Sequence, residues 1–238
     1  MQLVGDAGFA EGRRMAQQVG DPRAAQERRL KMTYEEYLAW EDEGAHGEWV
    51  DGQVIVFMPP TVLHQRIAGF LYYLLSSYVQ LFDLGEVLAA PIEMQVIPGK
   101  VSREPDVLFV ARAHLDRLTP ERLVGPADLV VEIVSDSSVG RDRTDKFYEY
   151  QEGGVPEYLI VDPRPGRRRV DFYRLAAEGT YLAVLPDAEG RYHSSVLPGF
   201  WFDPEWLWRE PLPNALTVLA MIAPEAPRGA LPPAERER

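Results

Sequence analysis

The sequence predicts a mixed α/β fold, an α+β arrangement of helices and strands around one mixed sheet, and three observations carry that reading. Residues 106–110 and 128–134 are nearly continuous apolar runs of strand length, the composition of central strands covered on both faces. Ile67, Phe70, Leu71, Leu74, Leu75, Tyr78 and Phe82 recur at the i, i+3, i+4 spacing of one buried helix face. Further on, Pro165-Gly166, Glu178-Gly179 and Glu189-Gly190 punctuate short strand-like segments at 169–175, 180–185 and 191–196, which read as an added antiparallel meander.

Taken in order, residues 1–31 are polar and charged without a strong apolar period and read as an N-terminal extension, helical or disordered, with Met32 as a second candidate start. The domain, residues 32–208, opens at Thr33-Tyr34-Glu35-Glu36, a capping box at the start of a short helix. Residues 48–56 form a hairpin about Asp51-Gly52, a strong two-residue turn signal, and Pro59-Pro60 ends it. The long helix follows, then strands near 86–91 and 92–97, where Ile92, Met94 and Val96 alternate with Glu93 and Gln95. After the two central strands, residues 138–152 read as a helix stopped by Gly153-Gly154, and 157–162 as an apolar strand ended by Pro163. Residues 209–238 hold a weak helix near 214–222 and a Pro-rich, mobile tail.

Composition narrows the function. The chain has 238 residues, 46% hydrophobic and 26% charged, which is ordinary for a globular protein able to bury a core. It has no cysteine, so thiol nucleophiles and thiolate zinc sites are excluded and any metal must be held by carboxylate, imidazole or carbonyl groups. No secretory pattern opens the chain, and residues 71–82, the longest apolar stretch, are too short to span a bilayer, so a soluble, cytoplasmic protein with no membrane partner is expected. A net charge of −12 argues against sequence-blind adhesion to nucleic acid, although a local basic strip can still steer a phosphate backbone. Arg164, Arg167, Arg168, Arg169 and Arg174 form such a run, which reads first as a solvated turn and strand edge. Neither a Gly-rich phosphate loop nor a Gly-x-Ser-x-Gly elbow is present, which disfavours nucleotide-driven and serine-hydrolase chemistry.

Two acids stand where strand composition should exclude them. Asp106 opens one central strand after Pro105, and Glu132 interrupts the other. A carboxylate so placed is costly unless it is paired, hydrogen-bonded or bound to metal. Adjacent strands could bring both to one end of the sheet, within reach of a hard cation such as Mg²⁺. Lys146 lies on the next helix, where it could swing over the same end to orient an attacking water and stabilise charge on a phosphate. Only three of the 25 basic residues are lysines (Lys31, Lys100 and Lys146), so a lysine in mid-helix suggests a compact point charge. The bland alternative makes Lys146 a solvated residue ion-paired at helical spacing to Asp142 or Glu149. Tyr150, four residues on, could pack the lysine in place, and Ser135 could bind a phosphate or a metal-bound water, though a strand-end cap is the simpler role for it. His46, His114 and His193 show no ligand spacing and read as structural.

These residues also carry a resemblance. Glu48-Trp49-Val50-Asp51-Gly52, Met58-Pro59-Pro60, His64-Gln65, Glu104-Pro105-Asp106-Val107 and Asp128-Leu129-Val130-Val131-Glu132-Ile133-Val134-Ser135 occur in that order. Val139-Gly140-Arg141-Asp142 through Lys146 and Tyr150, then Gly154-Val155-Pro156-Glu157-Tyr158-Leu159-Ile160-Val161-Asp162-Pro163, complete the series. The ordered set, over residues 32–208, resembles the Uma2 family, also called DUF820, of PD-(D/E)XK restriction-endonuclease-like proteins. The resemblance implies a restriction-endonuclease-like core and an Mg²⁺-dependent endonuclease, with Mn²⁺ as a substitute, in which Asp106 and Glu132 bind metal and Lys146 assists the attacking water. Val134 stands where the general pattern has its lysine, so Lys146 would be a migrated one. Glu48 matches a further acid that would complete the metal site, and His64 a histidine near substrate. The implied partner is nucleic acid, DNA in the first instance, with a homodimer as one arrangement. Two rival readings stand beside it: a nuclease-fold binding or regulatory module without useful turnover, and a metal-dependent phosphohydrolase acting on a smaller substrate.

Overall fold

Local signals place most of the elements. In the computed structural model, which describes residues 28–40, 47–56, 60–136 and 138–224, Thr33 caps helix α1 (Tyr34–Leu38) with the full reciprocal box: its hydroxyl accepts from the Glu36 amide while the Glu36 carboxylate accepts from the Thr33 amide. Strands β2 (Gly47–Val50) and β3 (Gln53–Val56) turn through Asp51 and Gly52, both at positive φ (45° and 79°), as a two-residue hairpin loop demands. Helix α2 (Val62–Phe82) starts where the Thr61 hydroxyl accepts from the His64 amide and stops at Asp83 in the left-handed region. Its buried face holds Ile67, Phe70, Leu71, Leu74, Leu75, Tyr78 and Val79, while Phe82, expected on that face, lies largely exposed in the last turn.

Among the described residues the strands divide into two six-stranded sheets and a two-stranded ribbon, where one sheet was expected. The first sheet joins β1 (Arg28–Lys31), β3, β2, β6 (Val101–Arg103), β5 (Glu93–Ile97) and β8 (Arg122–Val124) in that order. Residues 28–31, read as part of an extension, pair instead along the whole of β3. The second sheet has the order β12 (Tyr181–Ala183), β11 (Arg169–Leu175), β10 (Glu157–Asp162), β9 (Leu129–Ile133), β7 (Val107–Ala111), β4 (Gly85–Ala89). Its β9 and β10 are parallel and its other pairs antiparallel, so the sheet is mixed. The expected meander is cut short: β11 and β12 pair, but β13 (Tyr192–His193) leaves to pair with β14 (Trp201–Phe202).

Alternation along β7 and β9 sorts the core into two layers. Val107, Phe109, Val131 and Ile133 face α2, together with Val218 and Ile222 of α4 (Ala215–Ile222) and the aromatic residues that flank the ribbon. Leu108, Val110 and Val130 face the other way, onto Met94 and Val96 of the first sheet and onto Tyr150 of α3 (Lys146–Gly153). The expected helix over 138–152 is present but irregular: residues 141–145 form a π-turn that feeds α3, and Gly154, at φ 84°, closes it in the left-handed conformation. Readings made of residues 1–27, His46, Met58, Pro59 and residues 225–238 lie outside the described residues. Among the described residues no helix is long and apolar enough to cross a membrane.

Candidate active site

The register of the second sheet brings the two strand acids together. Val107 of β7 lies opposite Val131 of β9, so the next step along the antiparallel pair sets Asp106 across from Glu132. Asp106 sits at the strand end, where its Oδ2 accepts from the Ile133 amide at 2.7 Å and lies 3.2 Å from Nε2 of His64, in the first turn of α2. The His64 Nδ1 is buried and has no partner among the described residues.

Lys146 reaches the same sheet face from the start of α3. Its ammonium stands 2.8 Å from Oε1 of Glu132, 2.9 Å from Oε1 of Glu48 and 3.6 Å from Oδ1 of Asp142. The residue is only 3% exposed, so the solvated-helix reading fails, although the i,i+4 pairing to Asp142 that it invoked is present. Asp142 and Lys146, four residues apart, lie on one face where the π-turn of residues 141–145 runs into α3. The Tyr150 hydroxyl donates to Oε1 of Glu132 at 2.6 Å, so this side chain locks the acid as well as packing beside the lysine.

Glu48, expected as a third metal ligand, has both carboxylate oxygens in contact with protein groups. Its Oε2 accepts from Arg103 at 2.8 Å, and its Oε1 takes Lys146 and, at 3.1 Å, the Glu104 amide. Arg103, 1% exposed, also forks onto Glu149 at 2.7 Å from each of two nitrogens. The strand pairing explains the meeting: β2 carries Glu48 beside β6, which carries Arg103. Arg103 escaped the sequence reading, and Glu104, Asp142 and Glu149 entered it only as motif positions or as helical-spacing partners of Lys146, not as members of a buried charge cluster. Ser135 lies at the mouth of the next loop, where its amide and hydroxyl both donate to the Ser138 hydroxyl, the cap anticipated as its simpler role.

The charges do not balance. Glu48, Glu104, Asp106, Glu132, Asp142 and Glu149 stand against Arg103, Arg141 and Lys146. Burial pushes the Glu132 carboxyl up to about 8 against the pull of Lys146, and the nearby charges of Asp142, Asp106 and Glu48 add to the rise. Glu48 is just as buried yet is held down at about 2, because Arg103 and Arg141 join Lys146 around it. The two acids share one lysine, and the arginines decide which keeps its charge. Burial raises Glu104 to about 7, aided by Glu48, and raises Asp142 above the usual carboxylate range. Lys146 stays charged: desolvation alone would lower it, but Glu132, Glu48 and Asp142 more than reverse that. His64 likewise rises despite its burial, through the hydrogen bond and charge of Asp106.

This donor set fits a hard divalent cation of the Mg²⁺ type. Among the described residues the contacts to Asp106 fall on Oδ2 and those to Glu132 on Oε1, which leaves one oxygen of each carboxyl uncommitted. Among the described residues no three His, Asp or Glu side chains are grouped so as to hold a metal ion by themselves. Mg²⁺ does not need such a group, since it is commonly held by one or two carboxylates, with waters and substrate phosphate completing its shell.

Comparison with known proteins places the chain and its fold. The profile of the Uma2 family, described as "Putative restriction endonuclease", matches residues 34–205, most of the chain and all of the residues just placed. The chain belongs to the Uma2 family. A relative from Synechocystis sp., "Uncharacterized protein sll1609", is 24% identical to it over 137 residues, covering 55% of this chain and 75% of that protein. A crystal structure described as "a putative nuclease belonging to DUF820", from Anabaena variabilis, superposes with a TM-score of 0.61 at 18% identity, over 74% of this chain and 97% of that one. At that identity the likeness speaks for the fold, which is therefore a nuclease-like mixed α+β fold of the Uma2 type.

Proposed function

We propose that this Uma2 protein is a divalent-metal-dependent endonuclease that hydrolyses phosphodiester bonds of nucleic acid, DNA in the first instance, within the cytoplasm. The observation that carries the reading is the acid pair Asp106 and Glu132, side by side across two strands with a charged lysine locked against the second acid. Asp106 and Glu132 would hold Mg²⁺ or Mn²⁺, which when bound supplies an acidified water and a counter-charge for the scissile phosphate. Lys146 keeps Glu132 oriented and adds fixed positive charge beside the place where phosphate charge develops. Glu48, clamped by Arg103, holds the lysine from its far side, and Tyr150 fixes the Glu132 rotamer. His64 steadies Asp106, so the pair meets a cation already arranged.

One observation favours the binding-module reading. The three protons of Lys146 face three carboxylates, and so little of it is exposed that it has no donor to spare. Plasmid nicking with and without Mg²⁺ or Mn²⁺ separates the two. Wild type should nick only with metal, and Lys146→Ala should lose about 10²–10³-fold in rate at matched folded concentration. Absence of cleavage by wild type across duplex, single-stranded and small phosphodiester substrates would leave the binding module standing, and cleavage of small esters alone would favour a phosphohydrolase.

A further inference from the structure

From the β10–β11 turn we infer a phosphate-backbone grip for the nucleic acid entering this site, a reading that rests on the proposed nuclease function. Ile160 of β10 lies beside Glu132, and the strand runs two residues further to Asp162 before the chain turns through 163–168 into β11. The turn therefore stands at the same sheet end as Asp106 and Glu132. At about 3.3 Å per residue and about 4.8 Å between strands, Asp162, where the turn leaves the strand, lies roughly 8 Å from Glu132, a distance of about two nucleotides.

The turn gathers positive charge on an otherwise acidic chain of net charge −12. Arg164 holds Asp162 at 2.8 Å and reaches Asp136 at 3.6 Å, on the loop that leaves the strand of Glu132. Arg143, from the π-turn, spans Asp162 and Asp171, and Arg169 binds Asp171 as well. Three aspartates thus hold three arginines in place. Arg167 and Arg168 are left on the returning side of the turn, just past Pro165-Gly166, exposed and without an ion pair or hydrogen bond of their side chains among the described residues. Arg174, the last of the sequence run, is not part of this patch, because it lies at the far end of β11 against Glu157. Two unpaired guanidinium groups on a braced turn suit a polyanionic backbone, whose phosphates they would contact without reading bases.

The test is binding of a fluorescently labelled DNA duplex to the full-length protein in chelator, where no cleavage occurs, across a salt series. Each phosphate contact adds about 0.9 to the slope of log affinity against log salt, so Arg167→Ala with Arg168→Ala should lower the slope by about 1.8. Between about 50 and 200 mM salt, wild type should then lose roughly tenfold more affinity than the variant. Neither side chain supports the fold, so both proteins should melt alike. A control, Lys100→Ala with Arg209→Ala, removes the same charge outside the turn and should keep the wild-type slope. Equal slopes for wild type and turn variant, an equal fall in the control, or no binding by wild type would overturn the grip. Salt-dependent binding through the turn without cleavage in metal would sink the nuclease reading and leave the grip intact, whereas cleavage with an unaltered slope would do the reverse.

Discussion

Removal of Lys146 should cost far more than loss of an ordinary helix charge. Its ammonium is the shared partner of Glu48, Glu132 and Asp142, all nearly inaccessible to water. Lys146→Ala leaves these acids with Arg103 and Arg141 alone, and breaking a buried ionic cluster by deleting one partner destabilises by about 3–5 kcal/mol. In a chain of this size that corresponds to a melting shift of roughly 6–20 °C. The sign of the pH dependence follows from the acids. The lysine helps hold Glu48 at about 2, so without it the folded variant binds protons that the folded wild type does not. The stability gap must then widen as pH rises and narrow in acid, where the orphaned carboxyl groups are neutralised. Thermal unfolding followed by circular dichroism at pH 5 and pH 8 measures both effects. Lys146→Met combined with Glu132→Gln should recover much of the loss, because it removes the charge and its most poorly matched partner together. A Lys146→Ala protein that melts within about 1 °C of the parent at both pH values would refute the buried cluster.

Two further outcomes follow from the same charges. Mn²⁺ or Mg²⁺ at about a hundred times its dissociation constant should stabilise the wild type by about 2.7 kcal/mol, and Asp106→Asn or Glu132→Gln should abolish that gain; an identical metal-induced melting shift in all three proteins would remove the acid pair from metal binding. In the metal-free wild type, Glu132 keeps its proton up to about 8 in the folded state but releases it near 4.5 when unfolded. Its contribution to stability is therefore present below 4.5 and is lost as pH rises toward 8, while Glu48, depressed to about 2, acts oppositely and withdraws its contribution as pH falls from 4.5 toward 2. Denaturant unfolding of wild type and Glu132→Gln across this range checks the first half, since the variant should lack the decline between about 4.5 and 8.

Much of this architecture is written locally. Thr33 with Glu36, Asp51 with Gly52 and Gly154 name their caps and turn because each acts within a few residues of itself. The apolar runs around Asp106 and Glu132 and the periodic face of α2 declare buried elements, since burial on two faces or on one stripe imposes a composition. The cost of a carboxylate in such a strand singled out the two acids before any geometry was known.

The three-residue strands β6 and β8 and the four-residue β1 are too short to show a period, so the division into two sheets stayed hidden until the strands paired. The same limit hid Arg103, whose partners Glu48 and Glu149 lie 55 and 46 positions away in the chain. It also hid the surroundings of Glu48, which the neighbouring strand sets against Arg103 and Lys146. The sequence alone determined which side chains would be expensive to bury, because desolvation is a property of the residue and its immediate run. Only the tertiary structure decided which charges offset them, because Coulomb energy depends on the distance between atoms and takes no account of the length of chain that separates them.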